Sequence, residues 1–253
     1  MAKKRLVVGN WKMYMEDPAE AREFFLGLRK RVRALSGVEV WLAPPYVLIP
    51  EAAEVLESSP VEVGAQALSA HLDAPHTGEV SGAMLKATGA SFVIVGHSER
   101  RASGEGEANV RAQLERAAEA GLAPVLCIGE REHGSEGEHF SDVEEQLYSA
   151  LKNISKNTMR KLVVAYEPVW AIGKRAEDAM KPGDLQQMVI FIRKTLADLL
   201  DRKAALKVPI LYGGSVEPAN AAELIKESGV AGFLVGHASA DLEQFLAILM
   251  ACK

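Results

Sequence analysis

Three short segments of the chain carry side chains that could move protons, and each follows an apolar run. Glu167 follows the run 162–166 and is succeeded at once by Pro168. A carboxylate between a strand-like run and a loop with a stiff start suits a general base that lies under a lid. Lys12 follows the first such run and His97 follows the fourth. A base, a cation and an imidazole at three strand ends predict a site for proton transfer.

Each of these residues also has an ordinary structural explanation. Glu167 could be a loop glutamate paired with an arginine, His97 could be structural, and Lys12 could be a surface lysine. Their common position at strand ends favours the chemical interpretation. There Lys12 would supply a fixed cation near a developing oxyanion, and Asn10 would hold its ammonium or the substrate by hydrogen bonds. Glu99 would accept a hydrogen bond from Lys12 or shuttle a proton.

The elements that must position these residues alternate along the chain. The apolar runs are mostly continuous, as expected of strands buried on both faces. Between them, Asp17, Pro18 and Glu20 predict an N-cap, a first-turn proline and a capping-box acid. Further helices are predicted at Glu105–Ala120 and Pro218–Ser228, each followed by a glycine. The strand-like runs are Leu6–Val8, Val38–Leu42, Val61–Ala65, Phe92–Val95, Pro124–Ile128, Leu162–Tyr166, Val208–Tyr212 and Gly232–Val235.

The number and size of these units predict the fold. Eight strand–helix units in 253 residues amount to roughly 32 residues each, the size of a βαβ repeat. We expect residues 1–253 to form one α/β domain without a linker, a (β/α)8 barrel. A doubly wound sheet is the rival fold, but it would need a glycine-rich phosphate turn, which residues 9–12 do not provide. In a barrel, the proton-transfer candidates would meet at the C-terminal strand ends.

Small residues in three loops predict a phosphate site at the same end. Barrels usually bind phosphate through backbone N–H groups of the loops after their last two strands. A single Gly-Gly pair is a weak signal, because turns use it often. Three such loops at strand ends are a much stronger one. The candidate phosphate ligands are Gly173, Ser215, Gly236 and His237, together with Asn10 and Lys12.

Five ordered motifs give the chain a specific resemblance to a known family. NWKM, GHSERR, AYEPVWAIG, LYGGSV and FLVGHAS follow one another as in the triosephosphate isomerase family, from about Val7 to the end of the chain. The resemblance implies a TIM barrel that needs no cofactor and no metal. It implies interconversion of dihydroxyacetone phosphate and D-glyceraldehyde 3-phosphate through an enediolate, in glycolysis and gluconeogenesis. Glu167 would be the base, and His97, at the start of a short helix, an uncharged electrophile.

The loop after Glu167 would be the lid, and its end departs from the family pattern. Where the family has Thr-Gly-Lys, this chain has residues 174–176, so the second hinge differs. His237 likewise replaces the second glycine of the last phosphate turn, where it could restrict the backbone. The expected lid residues are Pro168, Val169, Trp170, Ala171, Ile172, Gly173, Lys174, Arg175 and Ala176.

A long segment after the third strand-like run, residues 66–79, resembles the interdigitating loop through which the family forms dimers. It carries Thr77, Gly78 and Glu79. The resemblance implies a homodimer in which Thr77 packs near Asn10 and Glu99 of the partner chain. The alternative is a long loop that folds back on its own surface.

Composition narrows the partners and the compartment. A net charge of -5 argues against nucleic acid or an anionic membrane as the main partner. The first apolar run is too short for a signal peptide, and no run approaches the roughly 20 residues of a membrane span, so we expect a cytoplasmic protein. The spacing of Cys127 and Cys252 is not that of a metal site, and two cysteines are too few to indicate a disulfide-rich protein. The stretch Glu130–His139 lacks fixed ligand spacing, which predicts a solvated loop rather than a metal site.

Two other kinds of function stay open beside the isomerase. Barrel aldolases and metal-dependent epimerases would share the fold, but an aldolase needs a Schiff-base lysine where this chain has Glu167. An epimerase needs a His/Asp metal set that we cannot assemble from the sequence. A non-catalytic sugar-phosphate-binding barrel with an altered lid is suggested by residues 174–176 and His237. The expected ligand is a small-molecule triose phosphate.

Overall fold

The barrel predicted from the sequence is present. The computed structural model describes residues 4–71, 75–132, 137–155, 161–174 and 179–253. Within them, eight parallel strands pair in sequence order, and the last strand closes the ring on the first, which confirms a (β/α)8 barrel. The strands are β1 Arg5–Asn10, β2 Val38–Ala43, β3 Val61–Ala65, β4 Phe92–Val95, β5 Ala123–Ile128, β6 Val163–Tyr166, β7 Ile210–Tyr212 and β8 Gly232–Val235.

Several strand ends differ from the prediction by one or two residues, and the largest differences are at the start of β7 and the end of β1. β7 begins at Ile210 rather than Val208, because Pro209 has no N–H to donate to the ladder. β1 continues past Val8 to Asn10, whose partner in the register is Ala43. The first strand therefore carries Asn10 to the rim of the barrel as part of the sheet.

Apolar side chains fill the space on both sides of the sheet. Leu6 and Val8 point into the barrel, whereas Val7 points outward to the helices, following the alternation of a strand. Inside the barrel, Trp41 packs on Phe92 with ring centroids 4.7 Å apart. Because both faces are buried, the strands read as continuous apolar runs in the sequence. Burial of each large apolar side chain contributes about 1.5–3 kcal/mol.

The helices pack around the barrel and begin where capping residues allow. Asp17 accepts a hydrogen bond from the N–H of Ala19 at 2.8 Å and caps the first helix, as predicted. The helices are α1 Pro18–Val32, α2 Ile49–Val55, α3 Gly82–Ala87, α4 Ser98–Ala102, α5 Glu107–Glu119, α6 Glu138–Leu151, α7 Pro182–Leu199, α8 Arg202–Ala205, α9 Ala221–Glu227 and α10 Leu242–Ala251. Short 3-10 helices cover Tyr46–Leu48, Val169–Ala171 and His237–Ser239. No helix in the described ranges is long and apolar enough to cross a membrane.

Two helices are shorter than the sequence predicts. α5 begins at Glu107 because Gly106, in extended conformation, is its N-cap. α9 begins at Ala221 rather than Pro218, because Asn220 folds the preceding residues into a turn. Its side chain accepts from the N–H of Glu217 at 2.9 Å and donates to the carbonyl of Ser215 at 3.1 Å. That turn fixes the loop that carries one of the phosphate candidates.

Candidate active site

The side chains predicted to do chemistry meet in one cavity at the C-terminal ends of the strands. The cavity has a volume of about 320 Å³. Strand ends supply its walls, since Asn10 ends β1 and Glu167 follows β6. The predicted site residues that line it are Asn10, Lys12, His97, Glu167, Gly173, Ser215, Gly236 and His237. The fold therefore brings together groups that are more than 200 residues apart in the chain.

A wider basin of about 1350 Å³ lies at the opposite end of the barrel, where Leu6, Trp41 and Val163 line it. It carries four lysines and three acids among its lining residues, but neither Glu167 nor His97. Size alone would favour this basin as a ligand site. The chemistry favours the smaller cavity, because convergent polar groups mark a binding site better than volume does.

Glu167 is a buried carboxylate held by backbone on two sides. Its side chain is 3% exposed, and its Oε2 atom accepts a hydrogen bond from the N–H of Ser98 at 3.0 Å. Its own N–H donates to the carbonyl of Ile128 at 2.8 Å, so the ladder with β5 continues past the end of β6. Gly213 leaves room beside it, because a Cβ there would lie 2.9 Å from Cγ of Glu167. The carboxylate pairs with no arginine among the described residues.

His97 faces Glu167, and its hydrogen bonds show which ring nitrogen carries the proton of the neutral form. Its Nδ1 atom accepts a hydrogen bond from the N–H of Glu99 at 3.2 Å, because His97 is the N-cap residue of α4. A nitrogen that accepts carries no proton, so the neutral ring has its proton on Nε2. Nε2 lies 3.1 Å from Oε1 of Glu167. The predicted short helix after His97 thus fixes the ring as a donor toward the cavity.

Lys12 is fixed by both its backbone and its charge. Its backbone lies in the left-handed region, with φ at 45°. Its N–H donates to Oδ1 of Asn10 at 3.2 Å, and its carbonyl accepts from Nε2 of Gln66 at 3.0 Å. The ammonium donates to Oε1 of Glu99 at 2.7 Å. Asn10 therefore binds the backbone of Lys12 in this structure, while Glu99 takes the ammonium.

The charge of Lys12 acts on Glu99. Partial burial raises the pKa of Glu99, but the hydrogen bond and positive charge of Lys12 outweigh burial, so the pKa lies below the usual range. The Lys12 side chain is 18% exposed, which sets it apart from an ordinary surface lysine. The pair gives the cavity a cation whose position is set by a carboxylate.

The phosphate candidates present backbone donors to the same cavity. Within the described residues, no hydrogen bond occupies the N–H groups of Gly173, Ser215, Gly236 or His237. The hydroxyl of Ser215 accepts from the N–H of Lys174 at 3.0 Å and donates to the carbonyl of Ala171 at 2.9 Å. The expected restriction of the backbone by His237 is not found, because its φ is not positive. Four unoccupied donors at one end of a cavity suit an anion.

Glu130, which the sequence did not identify as a site residue, holds the start of the predicted lid. Glu130 is 1% exposed, and its Oε1 atom accepts from the hydroxyl of Tyr166 at 2.9 Å and from Nε1 of Trp170 at 2.7 Å. The prediction that Glu130 belongs to a solvated loop is therefore wrong. Its position two residues after the end of β5, near the rim that carries Glu167, was the available signal. Residues 133–136 of that stretch lie outside the described residues.

Arg101 and Gly129 hold the segments next to His97 and Glu167. Arg101 donates to the carbonyl of Gly96 at 2.7 Å and forms an ion pair with Glu107, which fixes α4 against β4. Gly129 lies so close to β6 that a Cβ would be 1.9 Å from the carbonyl oxygen of Glu167. Only glycine fits there.

Cys127 lies inside the barrel beside Glu167. Burial raises the pKa of the Cys127 thiol well above its ordinary value, and the charge of Glu167 adds to this rise. A thiol with a raised pKa stays protonated and is a poor nucleophile. Cys127 and Cys252 are both buried free cysteines.

Comparison with known proteins decides between the barrel families. The family model described as triosephosphate isomerase matches residues 5–252. The chain belongs to the triosephosphate isomerase family. It is 43% identical to the triosephosphate isomerase of Thermus thermophilus over 246 residues, which cover 96% of this chain and 97% of that protein. It is 41% identical to that of Carboxydothermus hydrogenoformans over 249 residues, which cover 98% of both chains.

The triosephosphate isomerase motifs of the sequence correspond to the walls of the cavity. NWKM supplies Asn10 and Lys12, GHSERR supplies His97, and AYEPVWAIG supplies Glu167. Glu99, also in GHSERR, does not line the cavity and reaches it only through its hydrogen bond with Lys12. The lid is described as far as Lys174, while Arg175 and Ala176 lie outside the described residues. The residues predicted for the dimer loop, Thr77, Gly78 and Glu79, are exposed.

Proposed function

We propose that the chain interconverts dihydroxyacetone phosphate and D-glyceraldehyde 3-phosphate, with Glu167 as the base and His97 as the electrophile. The observation that carries this proposal is the 3.1 Å approach of His97 Nε2 to Oε1 of Glu167 in a cavity of the triosephosphate isomerase family. The reaction moves one proton between two neighbouring carbons, so a single carboxylate can serve both transfers.

The geometry supports an enediolate mechanism. Glu167 removes the proton from the carbon next to the carbonyl, and the Nε2–H group of His97 donates to the carbonyl oxygen as negative charge grows there. The carboxylate then returns the proton to the adjacent carbon. A second proton passes from the hydroxyl oxygen, which becomes the new carbonyl, to the former carbonyl oxygen, and the Nε2 atom of His97 would carry it. The side chain of Glu167 is 3% exposed, so little water competes with the substrate for its carboxylate. The substrate carbonyl would replace Glu167 as the acceptor for His97.

Lys12 completes the electrostatics of this mechanism. Its ammonium is positioned to stabilise both the phosphate and the developing oxyanion, and Glu99 fixes its direction through the 2.7 Å hydrogen bond. Asn10 contributes by holding the left-handed backbone of Lys12. The phosphate would bind to the unoccupied N–H groups of Gly173 and Ser215, with those of Gly236 and His237. Closure of the lid would then exclude water from the base.

A homodimer is the second part of the proposal. The loops after β1, β2 and β3 carry exposed apolar side chains, namely Met13, Tyr46, Val47 and, at the start of α3, Met84. Partial burial raises the pKa of Tyr46 to about 12, and nearby charges modify it, Arg100 lowering it and Glu79 raising it. Tyr46 therefore lies near Glu79 of the predicted dimer loop. A second copy of the chain would cover the exposed apolar side chains, as apolar surface patches often require.

The expected setting is the cytoplasm, where glycolysis and gluconeogenesis use this reaction. The test is turnover of glyceraldehyde 3-phosphate in a coupled assay that contains a strong metal chelator. We expect turnover without added metal or cofactor. Loss of turnover in chelator would favour a metal-dependent barrel enzyme instead. Binding of a phosphate-bearing analogue without any turnover would favour a non-catalytic sugar-phosphate-binding barrel, against which the close pairing of Glu167 with His97 argues.

A further inference from the structure

Two aromatic side chains form a wall at the phosphate end of the cavity. Tyr14, in the loop between β1 and α1, meets the ring of His237 edge-on, with centroids 5.0 Å apart and planes at 75°. Both residues line the 320 Å³ cavity. Tyr14 is 48% exposed, so the contact is not demanded by core packing. The wall joins the loop that carries Lys12 to the turn that offers backbone donors to phosphate.

The backbone of His237 brings its ring to the anion site at no conformational cost. His237 begins a 3-10 helix and has a negative φ, so a side chain is tolerated where a glycine would also fit. No hydrogen bond to another described residue uses either ring nitrogen. The edge contact with Tyr14 uses ring carbons and hydrogens rather than a specific nitrogen, which leaves a nitrogen for a ligand.

We infer that the imidazole of His237 is a further ligand of the substrate's phosphate, and that Tyr14 is the positioning residue that holds the ring in place. This inference rests on the phosphate site of the proposed function. A neutral imidazole donates one hydrogen bond to a phosphate oxygen, and a protonated ring adds the attraction of its charge. The phosphate group would thus be bound by backbone donors on one side and by a side chain on the other.

The contribution of the His237 ring to anion binding should increase as the pH falls. Histidine side chains gain their proton as the pH falls from about 8 to 5. The extra attraction is therefore present at low pH and lost as the pH rises. The cavity around His237 also carries the charges of Lys12, Lys174 and Glu217. The other polar side chains that line the cavity are Asn10, Tyr14, His97, Glu167, Ser215 and Gln244.

Sulfate is the probe that isolates this effect. A phosphate monoester changes its own charge near pH 6, whereas sulfate keeps both charges throughout the range. Sulfate affinity is measured by calorimetry at about pH 5.5 and 8.5 for the wild type and for His237→Gln, which keeps a donor but cannot gain a charge. When the pH falls from about 8.5 to 5.5, we expect the sulfate affinity of the wild type to rise about two- to fivefold more than that of the variant. This is the gain expected from an exposed ion pair. The same pH dependence in both proteins would overturn the inference.

Tyr14 is tested by a matched set of variants. Tyr14→Ala removes the ring, Tyr14→Phe keeps the edge contact, and Tyr148→Ala removes a similarly exposed tyrosine on α6. We expect Tyr14→Ala to lose the low-pH gain in sulfate affinity and to raise KM for glyceraldehyde 3-phosphate more than it lowers kcat. Tyr14→Phe should restore both. If Tyr14→Ala behaves like Tyr148→Ala, Tyr14 does not position the ring. Sulfate binding needs no turnover, so this result is independent of the isomerase assay.

Discussion

The side chains of Glu167 and His97 are positioned by two neighbouring backbone N–H groups. The N–H of Ser98 binds the carboxylate of Glu167, and the N–H of Glu99 binds the ring of His97. Both donors belong to the first turn of α4, where N–H groups have no partner within the helix. A five-residue helix thus orients two side chains that come from different strands. The side chain of Glu99 adds Lys12 to the same arrangement.

Replacement of the base should affect the chemical step. Glu167→Gln keeps the size of the side chain and an acceptor for Ser98, but it cannot take a proton. We expect kcat to fall by at least about 10² to 10⁴, while affinity for a phosphate-bearing analogue changes only a few fold. Steady-state kinetics and calorimetry measure the two quantities. A variant that keeps more than about a tenth of the wild-type kcat would show that another group is the base.

The pair of Lys12 and Glu99 predicts a pH dependence of stability. Burial raises the pKa of Glu99, but Lys12 lowers it further, so the folded-state pKa lies below that of the unfolded chain. The pair therefore stabilises the fold above the usual pKa of glutamate, and this contribution disappears as the pH falls through the folded value. Glu99 is 61% exposed, which limits the effect to at most about 1 kcal/mol.

Urea unfolding of the wild type and Glu99→Gln tests this effect at neutral pH and at about pH 3. We expect the difference in the free energy of unfolding to vanish at the lower pH. Glu227→Gln is the control, since Glu227 is exposed and forms no ion pair with another described residue. A difference that stays constant across the range would mean that the charge of Glu99 is not involved.

Individual site residues differ in how well the sequence predicts them. Glu167, His97 and Lys12 are readable because each follows an apolar run within a motif. The hydrogen bond between the N–H of Lys12 and the side chain of Asn10 was not predictable. It depends on the left-handed backbone of Lys12, which the sequence does not indicate. Glu130 was misread because the glycines and charges after it resemble a solvated loop. Its burial depends on Tyr166 and Trp170, which lie on the next strand and in the lid.

At the level of elements, the end of β5 supports the lid. Gly129 exchanges two hydrogen bonds with Gln146 on α6, each 3.0 Å long. Glu130 then holds Trp170, the residue at the centre of the lid's 3-10 helix. Strand positions were predictable from apolar runs, and Asp17 and Pro18 marked the start of α1. The starts of α5 and α9 were not predictable, because Gly106 and Asn220 are N-cap residues inside stretches that read as helical. The lid's anchor therefore comes from an element that sequence reasoning treated as a plain loop.

Removal of the anchor should loosen the lid. Glu130→Ala removes the acceptor of the buried Tyr166 hydroxyl, which costs about 1–3 kcal/mol. It also removes the hydrogen bond that Nε1 of Trp170 donates to Glu130. We expect lower thermal stability, a change in tryptophan fluorescence and a reduced kcat. Glu144→Ala on the exposed face of α6 is the control and should change none of these. Unchanged kinetics in Glu130→Ala would mean that the lid closes without this contact.

Across the whole molecule, the fold was predictable because its signal repeats. Eight apolar runs, each buried on both faces, allow few arrangements other than a closed barrel. The site followed from the fold, since parallel strands direct their C-terminal ends to one rim. The oligomeric state of the protein leaves no comparable repeating signal in the sequence. It is suggested only by the family resemblance of the loop 66–79 and by the exposed apolar side chains of the loops after β1, β2 and β3.

The shared-site dimer predicts that activity depends on protein concentration when the interface is weakened. His71 and His76 stack with centroids 3.8 Å apart, which brings the two described ends of the loop together and presents Thr77 outward. Thr77→Arg places a charge where the partner chain would bury the loop, and an unpaired buried charge costs several kcal/mol. We expect Thr77→Arg to sediment as a monomer at concentrations where the wild type is a dimer. Its kcat should fall although every catalytic residue is present.

The control for this prediction is Leu206→Arg, because Leu206 is 61% exposed and follows α8 on the outside of the barrel, away from the loops after β1, β2 and β3. It introduces the same charge in place of an exposed residue and should leave both sedimentation and kcat unchanged. If Thr77→Arg is monomeric but fully active, each barrel works alone and the partner contributes nothing to the site. If the wild type itself sediments as an active monomer at assay concentration, the loop folds back on its own surface. A Thr77→Arg protein that regains activity as its concentration rises would instead tie the loss to association, because the loop of the partner chain would then be needed beside Asn10 and Glu99.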